Sequence, residues 1–286
     1  MRNSTKERYL PLLVNWILPK FRNMPINSIK RSDIKTFLLS LYQAENKTRS
    51  ISTIELVNGI LSNVFEQARD EDLTKHNPTN RILKRLKLER NKMTGTPLTL
   101  AEMNRVIDTC AEHYPEMYPF FMIAFYTGMR LGEIIPLEWD DIDLEKHEIK
   151  VNKSFRRELI NDTKTGENRS VKITSILLTT LREYRLSCHT KRLFDNNGQY
   201  YSQNKIRNYL KQVLMIAGLK HVRFHDLRHT YASLMLSLGE PIHYVQNQLG
   251  HKNASMTLDR YGKYMPVNKE QGNALENAIK NMKNSE

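Results

Sequence analysis

Toward the carboxy-terminal end the chain reads Arg223-Phe-His-Asp-Leu-Arg-His-Thr-Tyr-Ala-Ser, then Leu249-Gly-His251, with Tyr261 ten residues past that histidine. Such a set suits cutting a phosphodiester with a protein nucleophile. Attack on phosphorus builds a pentacoordinate species carrying extra negative charge, and without a metal that charge must be met by preorganised cations. Arginine fits the need, because its guanidinium fork can hold two phosphate oxygens and stays charged at any working pH. His225 and Arg228 are three apart in an expected helix, so they share a face and can reach one phosphate together. Gly250 makes the chain turn before His251, which could bring a second imidazole to the same place. An imidazole with an unperturbed pKa of about 6.5 exchanges protons readily at neutral pH. Tyr261 is the candidate nucleophile; a free phenol has a pKa of about 10, so it needs cations or a base beside it to react.

Two upstream residues complete the set. Arg130 follows a glycine turn, with Glu133 one helical turn on and close enough to orient it. Lys164, on the polar stretch Thr163-Lys-Thr-Gly-Glu-Asn168, is placed like a mobile cation able to protonate a leaving oxygen. Each residue taken singly is accounted for by a structural or solvent-facing role; the weight lies in their joint presence in one domain. A rival sits on the same helix, since His225-Asp-Leu-Arg-His229 approximates the zinc motif H-E-x-x-H. Arg228 between the ligands would repel a metal, and aspartate is one methylene shorter than the glutamate base. No metal is therefore expected, and His229 reads as a packed residue that helps position the helix.

The elements that hold these residues follow from periodicity. Ile51, Ile54, Val57, Ile60, Leu61, Val64, Phe65 and Ala68 recur at three- and four-residue steps, as do Ile34, Phe37, Leu38 and Leu41 after Ser32 and Asp33, which suit an N-cap. These stripes are expected core. The pattern stops near Asn77-Pro78, and a basic stretch from Arg81 to Arg90 follows. Asn91 to Pro97 is rich in turn-forming residues, and Thr99 with Glu102 is a capping-box signature. The expected organisation is a helical domain over 1–90, a linker over 91–98 and a second domain over 99–286. In the second domain, Tyr118 to Tyr126 is an apolar run ended near Gly128, and Arg130 opens the next helical segment. Glu148-Ile-Lys-Val-Asn and Arg169-Ser-Val-Lys-Ile alternate in polarity about the turn that carries Lys164, predicting a small antiparallel sheet. Helical patterns return from Ile176, including Lys205–Ile216 and Asp226–Leu238, so the fold class is mainly α with one small sheet.

Composition narrows the partners. The 286 residues carry 44 Lys and Arg against 31 Asp and Glu, a net charge of +13, which suits a polyanion such as nucleic acid. Residues 1–97 hold 18 of those bases against 9 acids, so the front third is the more basic. A solvated face explains any one lysine; a regional excess marks a polyanion contact. No apolar run approaches the roughly 18 residues of a spanning helix, and Met1 leads into a polar start with no signal-like segment, so an intracellular, cytoplasmic chain without membrane association is expected. Cys110 and Cys188 lack metal-ligand spacing and read as reduced structural thiols.

Thr127-Gly-Met-Arg-Leu-Gly-Glu133, the turn with Lys164-Thr165, His225-Asp-Leu-Arg-His-Thr230, Leu249-Gly-His251 and Tyr261 resemble, in order and approximate spacing, the tyrosine recombinases of the phage-integrase family. The resemblance covers nearly the whole chain. Its carboxy-terminal motifs are highly specific, and the basic helical front third is a weaker match to the family's core-binding domain. The resemblance implies a phosphate-clamping pair in Arg130 and Arg228, a leaving-group acid in Lys164 and a general acid/base in His225. His251 is then the second phosphate-contacting histidine and Tyr261 the nucleophile. Tyr264, thirteen residues past His251, is a local competitor that fits the spacing less well. It further implies site-specific cleavage and rejoining of double-stranded DNA at core sites through a 3′-phosphotyrosyl bond, with no metal, ATP or other cofactor. Members clamp DNA between their two domains and act as tetramers that exchange a carboxy-terminal segment. Here the apolar stripe Ala274, Leu275, Ala278, Ile279 and Met282, within an exchange segment of about 266–286, suits docking on a neighbour or on its own domain. An accessory DNA-bending protein is a further candidate partner. Many members carry an additional amino-terminal module for arm-type sites, whereas the core-binding-like sequence here begins within about the first ten residues. A nicking topoisomerase, a catalytically silent DNA-binding protein and a metal-dependent nuclease are the alternatives, separated by two-site substrates, by the need for Tyr261 and by EDTA.

Overall fold

A computed structural model describes residues 3–42, 50–86, 88, 96–156, 159–162, 168–251 and 254–265. The chain divides into two compact units, Met1–Thr94 and Gly95–Glu286. Lys164 and the stripe from Ala274 to Met282 lie outside the described residues.

The first unit is helical. Helix α1 (Asn3–Leu12) runs through a π-helical turn at Leu13–Ile17 into α2 (Leu18–Phe21), and α3 (Arg31–Tyr42), α4 (Ile51–Asp70) and α5 (Ile82–Leu86) follow. Helix α3 begins one residue before the expected cap: Asp33 sits in the first turn and accepts the Lys30 amide at 2.8 Å. Ser50 caps α4 by accepting from the Thr53 amide. Ile54, Val57, Ile60, Leu61 and Phe65 of α4 enter a core with Ile34, Phe37 and Leu38 of α3, and Ala68 is buried on the same stripe. Val64, although in phase with that stripe, is exposed at its edge.

The second unit is built around a buried apolar helix. Thr99 and Glu102 form the expected capping box at the start of α6 (Leu100–His113), and the run from Phe120 to Phe125 makes α7 (Tyr118–Thr127) buried on nearly every side. Helices α9 (Ser175–Ser187) and α11 (Phe224–Ser237) pack on it, α10 (Gln203–Ile216) packs on α6, and α12 (Ile242–Leu249) and α13 (Ala254–Tyr261) pack on α11. A one-turn helix α8 (Leu131–Ile134) leads to the strands. Strands β1 (Ile142–Asp143), β2 (Glu148–Val151) and β5 (Arg169–Lys172) form an antiparallel sheet in the order β1-β2-β5, with Ile149 opposite Val171 and Val151 opposite Arg169. The sequence pattern anticipates the β2–β5 pair. It misses the hairpin of β3 (Lys153–Arg156) and β4 (Leu159–Asp162), which branches out between them. Among the described residues, no helix is long and apolar enough to cross a membrane. Cys110 is buried, its thiol pushed up to about 12 by burial and the nearby Glu116, while half-buried Cys188 accepts from the Trp139 indole at 3.3 Å.

Candidate active site

Two left-handed glycine turns frame the site. Gly128 ends α7 at φ +62°, where a Cβ would stand 2.5 Å from the Tyr231 ring, so only glycine fits. Gly250 ends α12 in the same way at φ +63° and delivers His251. Arg228, on α11, reaches between the turns: its Nη1 donates to the Gly128 carbonyl at 2.9 Å and its Nη2 to the Leu249 carbonyl at 2.6 Å. Arg228 is 2% exposed, and among the described residues no carboxylate lies within ion-pair distance of it. Burial, then repulsion from Arg130 and Arg169 working against attraction to Glu133, push its pKa down to about 9. It remains a cation at neutral pH, buried and short of negative charge. Such a group gains most when an anion arrives.

Arg130 is set by its neighbour. It is the extended N-cap of α8, and its amide and Nη1 donate to Glu133 at 2.9 and 2.8 Å, so a single carboxylate fixes both the cap and the guanidinium. The sequence points to this Arg130–Glu133 pair. It does not show the second cation, Arg169 on β5, whose Nη1 and Nη2 fork onto the same carboxylate at 3.1 and 2.8 Å while its Nε donates to the Gln248 carbonyl at 3.2 Å. Burial raises the Glu133 pKa, but the bonds and charges of Arg169 and Arg130 overwhelm it and hold the carboxyl at about 2. The missed signal lies in the strand pattern, because Arg169 is in phase with buried Val171 and Ile173. A cation on the core-facing side of a strand needs a buried partner.

Helix α11 carries the histidines. Asp226 starts it by accepting from the Arg223 amide at 2.7 Å and from its guanidinium, and the Thr230 hydroxyl accepts the Leu98 amide at 3.0 Å, tying the start of the second unit to this helix. His225 lines a cavity with Arg130, Arg207, Arg223 and Arg228. Burial and then Arg228, Arg260 and Arg130 lower its pKa. Nδ1 of His251 pairs with the Thr257 hydroxyl at 2.8 Å, and burial, Arg228 and Arg130 push that imidazole down to about 3. Tyr261 ends α13 and is 2% exposed. Burial raises its pKa, opposed by Arg228 and Arg260. The Tyr261 hydroxyl is hydrogen-bonded to Nδ1 of His229, so the residue expected to pack and position its helix also meets the nucleophile candidate. Tyr264 lies one short 3-10 turn beyond, where the Lys263 ammonium stands 5.0 Å from its ring centroid.

Arg130, His225, Arg228, His251 and Tyr261 thus come from four separate stretches to one place in the second unit. The arrangement is a set of neutral imidazoles and guanidiniums, with one carboxylate held as their anchor and a phenol alongside. It can bind a phosphodiester and move a proton. Among the described residues no group of three or more His, Cys, Asp or Glu comes together to hold a metal ion.

Residues 97–266 match the family model described as the phage integrase family, and residues 1–42 match that of the phage integrase N-terminal SAM-like domain. A tyrosine recombinase XerC-like protein of Caldanaerobacter subterraneus is 28% identical over 88% of this chain and 71% of its own length. The ICEBs1 integrase of Bacillus subtilis is 28% identical over 91% of this chain and 74% of its own. Among solved structures, the Tn1549 transposon integrase in complex with circular intermediate DNA is similar with a TM-score of 0.83, at 21% identity, over 97% of this chain and 94% of that one. A lambda integrase dimer bound to a COC′ core site is similar with a TM-score of 0.71, at 19% identity, over 90% of each chain. At those identities the structural likeness shows the shared fold.

Proposed function

The chain belongs to the phage integrase family and is a site-specific tyrosine recombinase; from that premise we propose that Tyr261 is the nucleophile that cuts and rejoins its DNA. The Tyr261 oxygen attacks a backbone phosphorus, the bond to the 5′-oxygen breaks, and a 3′-phosphotyrosyl linkage conserves the energy of the broken phosphodiester. A 5′-hydroxyl from another strand then reverses the step. Arg130 and Arg228 clamp the non-bridging oxygens, His225 and His251 contact the phosphate and handle protons on the DNA side, and Lys164 protonates the leaving 5′-oxygen. Both units contact duplex DNA at core sites, the basic front unit adding affinity through phosphate contacts. Four copies work together on DNA in the cytoplasm, with the segment from about 266 joining neighbours and a DNA-bending protein assisting.

The observation that carries this reading is Arg228: a buried guanidinium without a carboxylate partner among the described residues, fixed by two backbone carbonyls beside the Tyr261 phenol. A site that holds such a cation buried and fixed is preorganised for charge that arrives with the substrate. The test is covalent trapping on nicked duplex DNA followed by peptide mapping. Tyr261→Phe should abolish the protein–DNA adduct while leaving DNA affinity and its salt dependence in place, and Tyr264→Phe should keep the adduct. An undiminished adduct in Tyr261→Phe would sink the assignment.

A further inference from the structure

The cleavage step releases a phenol proton, and the hydrogen bond from the Tyr261 hydroxyl identifies where it can go. His225, the histidine that lines the cavity with Arg130 and Arg228, is not its partner; the partner is His229, one helical turn further along α11. The His229 ring stands 5.5 Å from the Tyr261 ring and meets His225 edge-on at 4.8 Å, so the two imidazoles lie side by side, and His229 is the one bonded to the phenol. From its own helix His229 is faced by His225, Asp226 and Arg228, and from α13 by Arg260 and Tyr261. Burial first, then His225, Arg260 and Arg228 against the opposing Asp226, push its pKa down to about 4. At neutral pH the ring is therefore uncharged, with one nitrogen free to accept. In the tautomer that carries the ring proton on Nε2, Nδ1 accepts from the Tyr261 hydroxyl, and this is the arrangement that cleavage requires.

We propose that His229 is a catalytic residue for strand cleavage: its Nδ1 takes the phenol proton as the Tyr261 oxygen bonds to phosphorus, and returns it when the strand is rejoined. This rests on Tyr261 being the nucleophile. The O–H bond breaks toward Nδ1, the oxygen pair forms the new P–O bond, the P–O5′ bond breaks, and the leaving 5′-oxygen takes a proton from the acid on the DNA side. Rejoining runs the same transfers backward, with the tyrosine as leaving group and the His229 imidazolium as its acid. The arriving phosphate also favours the transfer, since its negative charge raises the basicity of an imidazole otherwise held down by cations. The two histidines of α11 then divide the work: His229 serves the nucleophile and His225 the DNA.

Single-turnover cleavage tests this, using a nicked duplex selected from a randomised pool by its adduct with the unmodified protein. His229→Asn places a carbonyl oxygen near the position of Nδ1, preserving an acceptor without a base, and His229→Ala removes both. Both variants should bind the duplex normally and cleave about 10²–10⁴-fold more slowly at pH 7. Their rates should climb about tenfold per pH unit toward the phenol range as Tyr261 ionises unaided, and added imidazole should partly restore His229→Ala. A His229→Asn rate within a few-fold of the unmodified protein would overturn the proposal and leave His229 as a positioning residue. A deficit that is independent of pH and unmoved by imidazole would overturn it as well. Tyr261→Phe in the same assay keeps the two readings apart, because an adduct there refutes the nucleophile assignment whatever His229 does.

Discussion

Glu133 is the residue on which the charge balance of the site turns. Its carboxyl, ordinarily near 4.5, is held at about 2 by Arg169 and Arg130 against the cost of burial. A depressed carboxylate pKa contributes stability that is complete above the unfolded value and is lost as pH falls through the folded one. The contribution here is on the order of 3 kcal/mol, present above about pH 5 and gone near pH 2. Glu133→Gln should lower the unfolding free energy at pH 7 by about 3 kcal/mol, and the gap should close between pH 4.5 and 2 in urea titrations of both proteins. Arg228 has the opposite appetite. Inorganic sulfate should raise the thermal midpoint of the unmodified chain more than that of Arg228→Met, because only the former buries a cation with no carboxylate at ion-pair distance among the described residues. In the sequence, Arg130 and Arg228 are legible because motif spacing places them beside a glycine turn and on a helix face. Arg169 and the His229–Tyr261 bond are not, since each joins residues 30 or more positions apart whose meeting depends on packing.

At the scale of elements, the site is a matter of where helices stop. Helices α7 and α12 end in left-handed glycines whose neighbouring carbonyls, those of Gly128 and Leu249, Arg228 reads. Gly128→Ala should destabilise the protein by roughly 1–3 kcal/mol and depress adduct formation, since Tyr231 and Leu249 leave no room for a methyl group and the carbonyl must move. Gly218→Ala is the control. Its φ of +66° imposes similar backbone strain, but its Cβ would meet nothing within 4 Å, so denaturation should record only the strain and cleavage should be unchanged. The elements themselves are largely legible: the capping box of α6, the stripe of α4 and the alternation of β2 and β5 all follow from local pattern. The β3–β4 hairpin is not, because its strands are only four residues each and carry little alternation. Val64 shows the same limit from the other side, since phase on a helix does not say how wide the buried stripe will be.

For the whole molecule, charge and core are distributed differently. Each unit has its own hydrophobic core, but residues 1–97 carry 18 Lys and Arg against 9 Asp and Glu, while every residue of the candidate site lies beyond them. Residues 95–286 alone should still form the Tyr261 adduct on nicked DNA, with a shallower slope of log affinity against log salt than the full chain, measured by anisotropy across a potassium chloride series. The bond from Arg228 to the Gly128 carbonyl has a further consequence. It closes a separation of 100 residues, the Leu98–Thr230 bond one of 132, and the Arg169–Gln248 bond one of 79. Helices need only neighbours in sequence, whereas these ties wait for distant segments to find each other, and such contacts are slow to form. On dilution from urea, the far-ultraviolet helical signal should therefore return before the ability to cut DNA does, so a freshly refolded population can look native while its anion cradle is still open.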